Sequence, residues 1–190
     1  FRSGLKELPA YARVALDVVG AEGCELLLAD GARVLDLYGG HCVNTLGAGD
    51  ETLGEALSRQ WNALSFTTNL LDTESRDTFN AALAPLLPEG DWQVFCSNSG
   101  AEANENALKL ALAATGRDGV VCFEGAFHGR TAAAAAVTAP RTPGFPSAPF
   151  EVTRSAWGSL EGIDESTAAC ILEPIQSLAG VVEPPAGFLE

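Results

Sequence analysis

The segment Trp92-Gln93-Val94-Phe95-Cys96-Ser97-Asn98-Ser99-Gly100-Ala101-Glu102 constrains the fold more than any other part of the chain. A short apolar run gives way to a tight polar turn, and the turn opens an amphipathic helix on small residues. That order predicts strand, turn, helix. A helix start leaves backbone N–H groups unpaired and carries partial positive charge, so it is a ready anion site. Gly100 and Ala101 have little side chain to keep a phosphate from those donors, and Ser99 adds a hydroxyl. The same residues also spell a capping box, Ser99 with Glu102, which satisfies the helix start without any ligand. On this segment alone both readings stand.

The alternation continues downstream. Val94-Phe95-Cys96 predicts a buried strand and Ala101 to Ala114 a helix, ended by Gly116. Its polar stripe is Glu102, Glu105, Asn106 and Lys109, with Glu105 and Lys109 as a favourable i,i+4 pair. Val120 to Phe123 predicts the next strand and Thr131 to Thr138 is Ala-rich and helix-permissive. Arg141 to Pro149 carries three prolines and predicts a loop, and Ala168 to Leu172 predicts another buried strand, ended by Glu173-Pro174. Upstream the pattern differs. Glu25 to Tyr38 predicts a hairpin around Asp30-Gly31, and Gly39-Gly40 breaks it. Asp50 predicts the cap of a helix to about Leu64, with Leu53, Ala56, Leu57 and Trp61 on one stripe; a second helix is predicted from Thr73 to Leu87. Apolar strands alternating with helices predict an α/β layer with a mostly parallel sheet, and the early hairpin a separate small lobe.

Composition excludes several functions. Net charge is −14, from 11 basic and 25 acidic residues, and the basic residues do not cluster. Binding to nucleic acid or to an anionic membrane surface is therefore not expected. No apolar run is long enough to span a bilayer, and no secretory signal is visible. The absence of methionine and the initial Phe1 predict that the native start lies upstream. The five cysteines, Cys24, Cys42, Cys96, Cys122 and Cys170, are odd in number, widely spaced and mostly beside apolar runs. They predict reduced, mostly buried thiols in a cytoplasmic protein. With only His41 and His128, no zinc-type cluster is available, and no metal is expected. Neither G-x-G-x-x-G, nor G-K-[ST], nor G-x-S-x-G occurs, against a dinucleotide enzyme, a P-loop enzyme and a serine hydrolase.

In open α/β sheets ligands gather beyond the carboxyl ends of strands. Three predicted strand ends carry unusual polar content: Ser97 to Ala101, Glu124 to Thr131, and Glu173 to Gln176. If the strands are neighbours, these loops converge on one crevice. Phe127 can stack on a planar ring or fill the core. Arg130 can hold a carboxylate by two parallel hydrogen bonds or lie solvated in a helix's first turn. His128 is read as orienting its loop, and Glu173 as either a loop anchor or part of a ligand-binding network.

The runs Asn98-Ser99-Gly100-Ala101-Glu102-Ala103, Phe127-His128-Gly129-Arg130-Thr131 and Ile171-Leu172-Glu173-Pro174-Ile175-Gln176 resemble, in this order and spacing, those of the class III aminotransferases, most closely the acetylornithine and ornithine branch. The resemblance runs from near Leu26 to Phe188. It implies the pyridoxal-phosphate-dependent transferase fold of type I: a three-layer αβα large domain with a mostly parallel sheet, plus a small N-terminal α+β lobe. Residues 1–45 would belong to the small domain and 46–190 to the first part of the large one. It implies pyridoxal 5'-phosphate as cofactor, held by Ser99, Gly100 and Ala101 at its phosphate, Phe127 at the ring face and Glu173 near the ring. Arg130 would bind the substrate carboxylate. The implied reaction moves an amino group from an ω-amino acid to a 2-oxo acid, 2-oxoglutarate being the expected acceptor, in a cytoplasmic homodimer.

Such chemistry needs a Schiff-base lysine and an aspartate at the pyridine nitrogen. Lys6 and Lys109 are the only lysines, and neither fits. No catalytic residue is therefore assigned within these 190 residues, both groups are expected beyond Glu190, and the fragment alone is expected to be inactive. Ser177-Leu178-Ala179-Gly180 stand where the branch usually has Gly-Glu-Gly-Gly, so Leu178 replaces a glutamate tied to substrate choice. Gly47-Ala48-Gly49-Asp50-Glu51 stand where Gly-His-x-x-Pro is usual. An aminomutase or decarboxylase on the same scaffold, and a non-catalytic binding or assembly module, remain the rival readings.

Overall fold

A computed structural model describes Leu8 and residues 12–139 and 150–190. The predicted proline loop at 141–149 and Lys6 lie outside the described residues. By packing, the chain divides into two compact units, Phe1–Leu86 and Leu87–Glu190.

The first unit begins with an antiparallel meander, β1 (Val18–Glu22), β2 (Glu25–Leu28) and β3 (Arg33–Leu35). The predicted hairpin is β2–β3, with Leu26 opposite Val34, and Asp30 Oδ1 accepts from the Ala32 amide at 2.9 Å in the turn. The strand β1 was not predicted; Val18-Val19-Gly20-Ala21 alternates no more than a loop would. Arg33 reaches Glu22 and Glu25, each at 2.8 Å, across the meander's exposed face. A single left-handed turn, α1 (Gly39–Cys42), follows where Gly39-Gly40 breaks the strand pattern. Helix α2 (Glu51–Leu64) is capped as predicted: Asp50 accepts from the Leu53 amide at 2.7 Å. Helix α3 (Glu74–Leu83) follows Thr73 and tightens into a 3-10 turn over Ala84–Leu86, because Pro85 cannot donate to an α-helical ladder.

The second unit is built on a parallel sheet in the order β5–β4–β6, from β4 (Gly119–Phe123), β5 (Glu151–Ser155) and β6 (Thr167–Cys170). Helix α4 (Gly100–Thr115) ends at Gly116 in the left-handed conformation (φ 68°), and α5 is the short alanine helix Ala132–Ala136. Alternate residues of β4 face opposite sides of the sheet. Val120 and Cys122 pack with Leu108 of α4, Ala133 and Ala136 of α5 and Val137 just after it in one apolar cluster. Phe123 turns to a second cluster, edge-to-face with Trp157 (ring centres 5.3 Å apart) and Phe188 (5.5 Å). The sheet and the mixed α/β content agree with the expected fold class.

Two expectations fail. Val94-Phe95-Cys96 is not a buried strand: the segment carries no ladder, and Val94 and Phe95 are 44% and 72% exposed. A strand exists only through a neighbour's backbone, and among the described residues none pairs with it. The cysteines are free, as expected, but only Cys122 is buried. Cys24 sits in a turn, Cys42 in the left-handed turn, Cys96 in the unpaired segment and Cys170 at the end of an edge strand, so adjacency to an apolar run did not carry them inside. Among the described residues no helix is long and apolar enough to cross a membrane.

Candidate functional site

All of the site residues picked out in the sequence lie in the second unit, at the start of α4 and beyond the carboxyl ends of β4 and β6. Ser99 caps α4 in an extended conformation, and its Oγ accepts from the Glu102 amide at 3.2 Å. Glu102 reaches back, Oε2 accepting from the Asn98 amide at 2.8 Å. The capping box is thus real, yet it consumes only the amides of Asn98 and Glu102. The Ala103 amide returns to the Ser99 carbonyl. Among the described residues nothing accepts from the amides of Gly100 and Ala101, and a Cβ built on Gly100 meets no atom within 4 Å. Cap and anion site therefore use different donors, and the two readings of the segment are compatible.

The loop after β4 lies against this helix start. Gly129 adopts φ 135°, and a Cβ on it would fall 2.7 Å from the Cβ of Ala101 and 2.9 Å from that of Ala134. Only glycine permits so close an approach. Asn104 Nδ2 donates to the His128 carbonyl at 2.8 Å. Glu105 Oε1 accepts from Thr131 Oγ1 at 2.6 Å, the Ala133 amide at 2.6 Å and the Ala134 amide at 3.1 Å. Thr138 Oγ1 accepts from the His128 amide at 2.9 Å and lies 3.1 Å and 2.8 Å from the carbonyls of Gly129 and Ala134. Phe127 is half-buried, neither wholly in the core nor free of it, and Arg130 is exposed.

The third loop is tied to the second. Glu173 Oε2 accepts from the Phe127 amide at 2.8 Å, so its loop-anchoring role is realised at the residue that carries the aromatic face. Gln176, 2% exposed, donates through Nε2 to the Glu124 carbonyl at 2.9 Å. Its Oε1 would stand 2.9 Å from a Cβ on Gly125. The second loop therefore touches both the start of α4 and the third loop, although no strand precedes the first.

Glu105 and His128 are the perturbed ionisable groups among the residues that build these loops. Burial pushes the Glu105 carboxyl upward, but its hydrogen bonds to Thr131, Ala134 and Ala133 outweigh this and hold it below the usual carboxylate range. Burial pushes the His128 imidazole down, opposed by the nearby Glu173 charge, so the ring is neutral at physiological pH. His128 Nε2 is buried without a hydrogen-bond partner among the described residues.

Sequence reading missed Asn104, Glu105, Thr131, Thr138 and Gln176 as architects of the site. The i,i+4 spacing pairs Glu105 with Lys109, but the carboxylate instead serves α5, and among the described residues no such pair forms. Glu105 lies in the polar run Asn104-Glu105-Asn106, and no local signal sets it apart from a solvated charge.

Comparison with known proteins fits this geometry. The family model for aminotransferase class-III matches residues 9–190. Acetylornithine aminotransferase of Mycobacterium bovis is 40% identical over 187 residues, covering 94% of this chain and 46% of that protein. The protein of the same name from Methanopyrus kandleri is 36% identical over 188 residues, covering 94% of this chain and 48% of that one. Among solved structures, ornithine aminotransferase of Toxoplasma gondii, described with partial occupancy of PLP at its active site, superposes with a TM-score of 0.85 at 23% identity, over 96% of this chain and 46% of that one. A transaminase solved with L-Ala superposes with a TM-score of 0.81 at 20% identity, over 96% of this chain and 51% of that one. The chain spans about half the length of the curated relatives it matches. It belongs to the class-III aminotransferase family.

Proposed function

From that membership we propose that the chain forms the phosphate- and ring-binding part of a pyridoxal-phosphate-dependent aminotransferase. The observation that carries the proposal is the pair of amides at Gly100 and Ala101, unclaimed by the cap, beside open space and beside the loop bearing Phe127 and Arg130. The residues fit the cofactor. Gly100 and Ala101 donate to its phosphate, aided by the Ser99 hydroxyl and the positive helix end. Phe127 lies against the ring face, its backbone held by Glu173. Pyridoxal phosphate supplies an electron-withdrawing ring that takes up negative charge while the amino group changes hands.

Arg130 grips the substrate carboxylate, so that the distal amine of the donor is the end presented for transfer. The relatives named acetylornithine aminotransferase support a donor of the acetylornithine or ornithine type, and 2-oxoglutarate is the acceptor proposed with it. Lys109 is exposed on α4, so the reading assigns the reactive amine to a lysine of the parent protein outside these residues. It also assigns residues 1–45 to a small domain, residues 46–190 to the first part of the large one, and the parent to a cytoplasmic homodimer. Leu178, 63% exposed, stands where the branch usually has a glutamate tied to substrate choice.

The test uses the full-length parent with pyridoxal phosphate. Borohydride reduction followed by peptide mass spectrometry should place the cofactor on one lysine, and an acetylornithine-type donor should convert 2-oxoglutarate to glutamate. Failure to trap the cofactor on any lysine removes the proposal. Trapping with release of carbon dioxide, or with migration of the amino group within one substrate, replaces transamination by the decarboxylase or aminomutase reading.

A further inference from the structure

The side chains of Asn104 and Glu105, on the second turn of α4, engage the opposite loop at residues that bracket Arg130. Asn104 holds the His128 carbonyl at 2.8 Å, and Glu105 holds Thr131 Oγ1 at 2.6 Å. Between these two anchors Gly129 lies so close to Ala101 that a Cβ would stand 2.7 Å from the alanine's own. Three attachments join the two segments: Ala101 with Gly129, Asn104 with His128, and Glu105 with Thr131 and the start of α5. Glu105 also fixes the amides of Ala133 and Ala134, which Thr131, the residue before α5, does not cap with its own side chain. A charged acceptor makes these bonds stronger than neutral ones would be.

We propose that Asn104 and Glu105 are positioning residues that lock residues 128–134 onto the first two turns of α4, and so set the place of Arg130 relative to the Gly100 and Ala101 amides. This rests on the aminotransferase reading for what Arg130 binds; the clamp is a statement about the chain itself. The same helix then presents its N-terminal amides to a phosphate and, one turn later, holds the loop that must meet the other end of the reacting pair. A small displacement of a carboxylate-binding group relative to a fixed cofactor misplaces the reacting atoms, and such errors cost rate steeply.

The experiment uses the full-length parent and the variants Glu105→Ala, Glu105→Gln, Asn104→Ala and Thr131→Ala. Amide exchange at residues 128–134 is read without any substrate, cofactor affinity by absorbance titration with pyridoxal phosphate, and KM and kcat with the amino donor. In Glu105→Ala, exchange at Ala133 and Ala134 should rise at least ~10-fold, because their acceptor is gone. KM for the donor should rise ~10-fold while cofactor affinity stays within ~3-fold. Glu105→Gln, whose amide oxygen still accepts, should recover KM to within ~3-fold of the parent. Asn104→Ala should move exchange and KM in the same direction by less.

Unchanged exchange in Glu105→Ala overturns the clamp. So does a parallel loss of cofactor affinity, KM and melting temperature that glutamine fails to rescue, since a merely structural role predicts that pattern. If Glu105→Ala does not fold, Thr131→Ala removes one donor only, and unchanged exchange there overturns the proposal equally. A full-length parent that binds no pyridoxal phosphate defeats the functional reading, and the exchange data then decide the clamp by themselves.

Discussion

The two units carry similar apolar patterns and opposite burial. Helix α2 presents Leu53, Leu57 and Trp61 as one stripe, yet no residue of α2 or α3 is buried, and Trp61 is 73% exposed. In the second unit Val120, Val121, Cys122 and Phe123 are all essentially inaccessible, closed in by α4, α5 and the aromatic cluster. Both regions form the helices their sequences encode. Each unit holds a three-stranded sheet, but only in the second do helices bury residues against it. Periodicity thus specifies an element and its apolar side, while burial depends on what the tertiary structure sets against that side.

The contrast can be broken most directly by truncation. Phe123→Ala should destabilise the second unit by ~3–5 kcal/mol, whereas Leu57→Ala on the exposed stripe of α2 should stay within ~0.5 kcal/mol. Denaturant melts of the two variants measure this, and equal losses would show that α2 is packed after all. Gly129→Ala should cost ~2–4 kcal/mol, because the added methyl collides with Ala101 and Ala134 at a backbone angle that side chains avoid. Ordinary behaviour of that variant would mean that the loop is not pressed onto α4.

Capping is where the two units should agree. Asp50→Ala and Ser99→Ala each remove one side-chain acceptor from a helix start, at 2.7 Å and 3.2 Å, and each should cost ~1 kcal/mol. A cost confined to Ser99→Ala would show that local helix energetics also depend on the unit. The smallest effect is a pH difference. His128 has its proton affinity lowered by burial, so the unfolded chain takes up the proton first. Its neutral form contributes stability fully above the ordinary imidazole value of 6.5, and that stability falls as the pH drops through the lower folded value. The melting temperature of the parent relative to His128→Gln should therefore decline across that window, and a flat difference would place His128 in water.

How much was legible varied by residue. Asp50, Ser99 and Gly116 announced their helix ends, since a cap is decided within three or four residues. The order of polar loops marked out the candidate site, because ligands gather where strands end. Val94-Phe95-Cys96 is apolar enough for a buried strand, but apolar content does not supply a pairing partner. Glu105 has a near partner in sequence, Lys109, but bonds to Thr131, which lies 26 residues away. Nothing local marks a carboxylate as the acceptor for the start of another helix.

By itself, the sequence determined the main helices, the caps at Asp50, Ser99 and Gly116, the α/β class and the small-residue turn that leaves two amides for an anion, all set by interactions that span a few residues. The tertiary structure alone decided which apolar faces are covered, that Gly129 meets Ala101, and that Asn104 and Glu105 fasten the Arg130 loop. Those outcomes depend on which distant segments become neighbours, and chain entropy lets many such pairings compete until packing selects one.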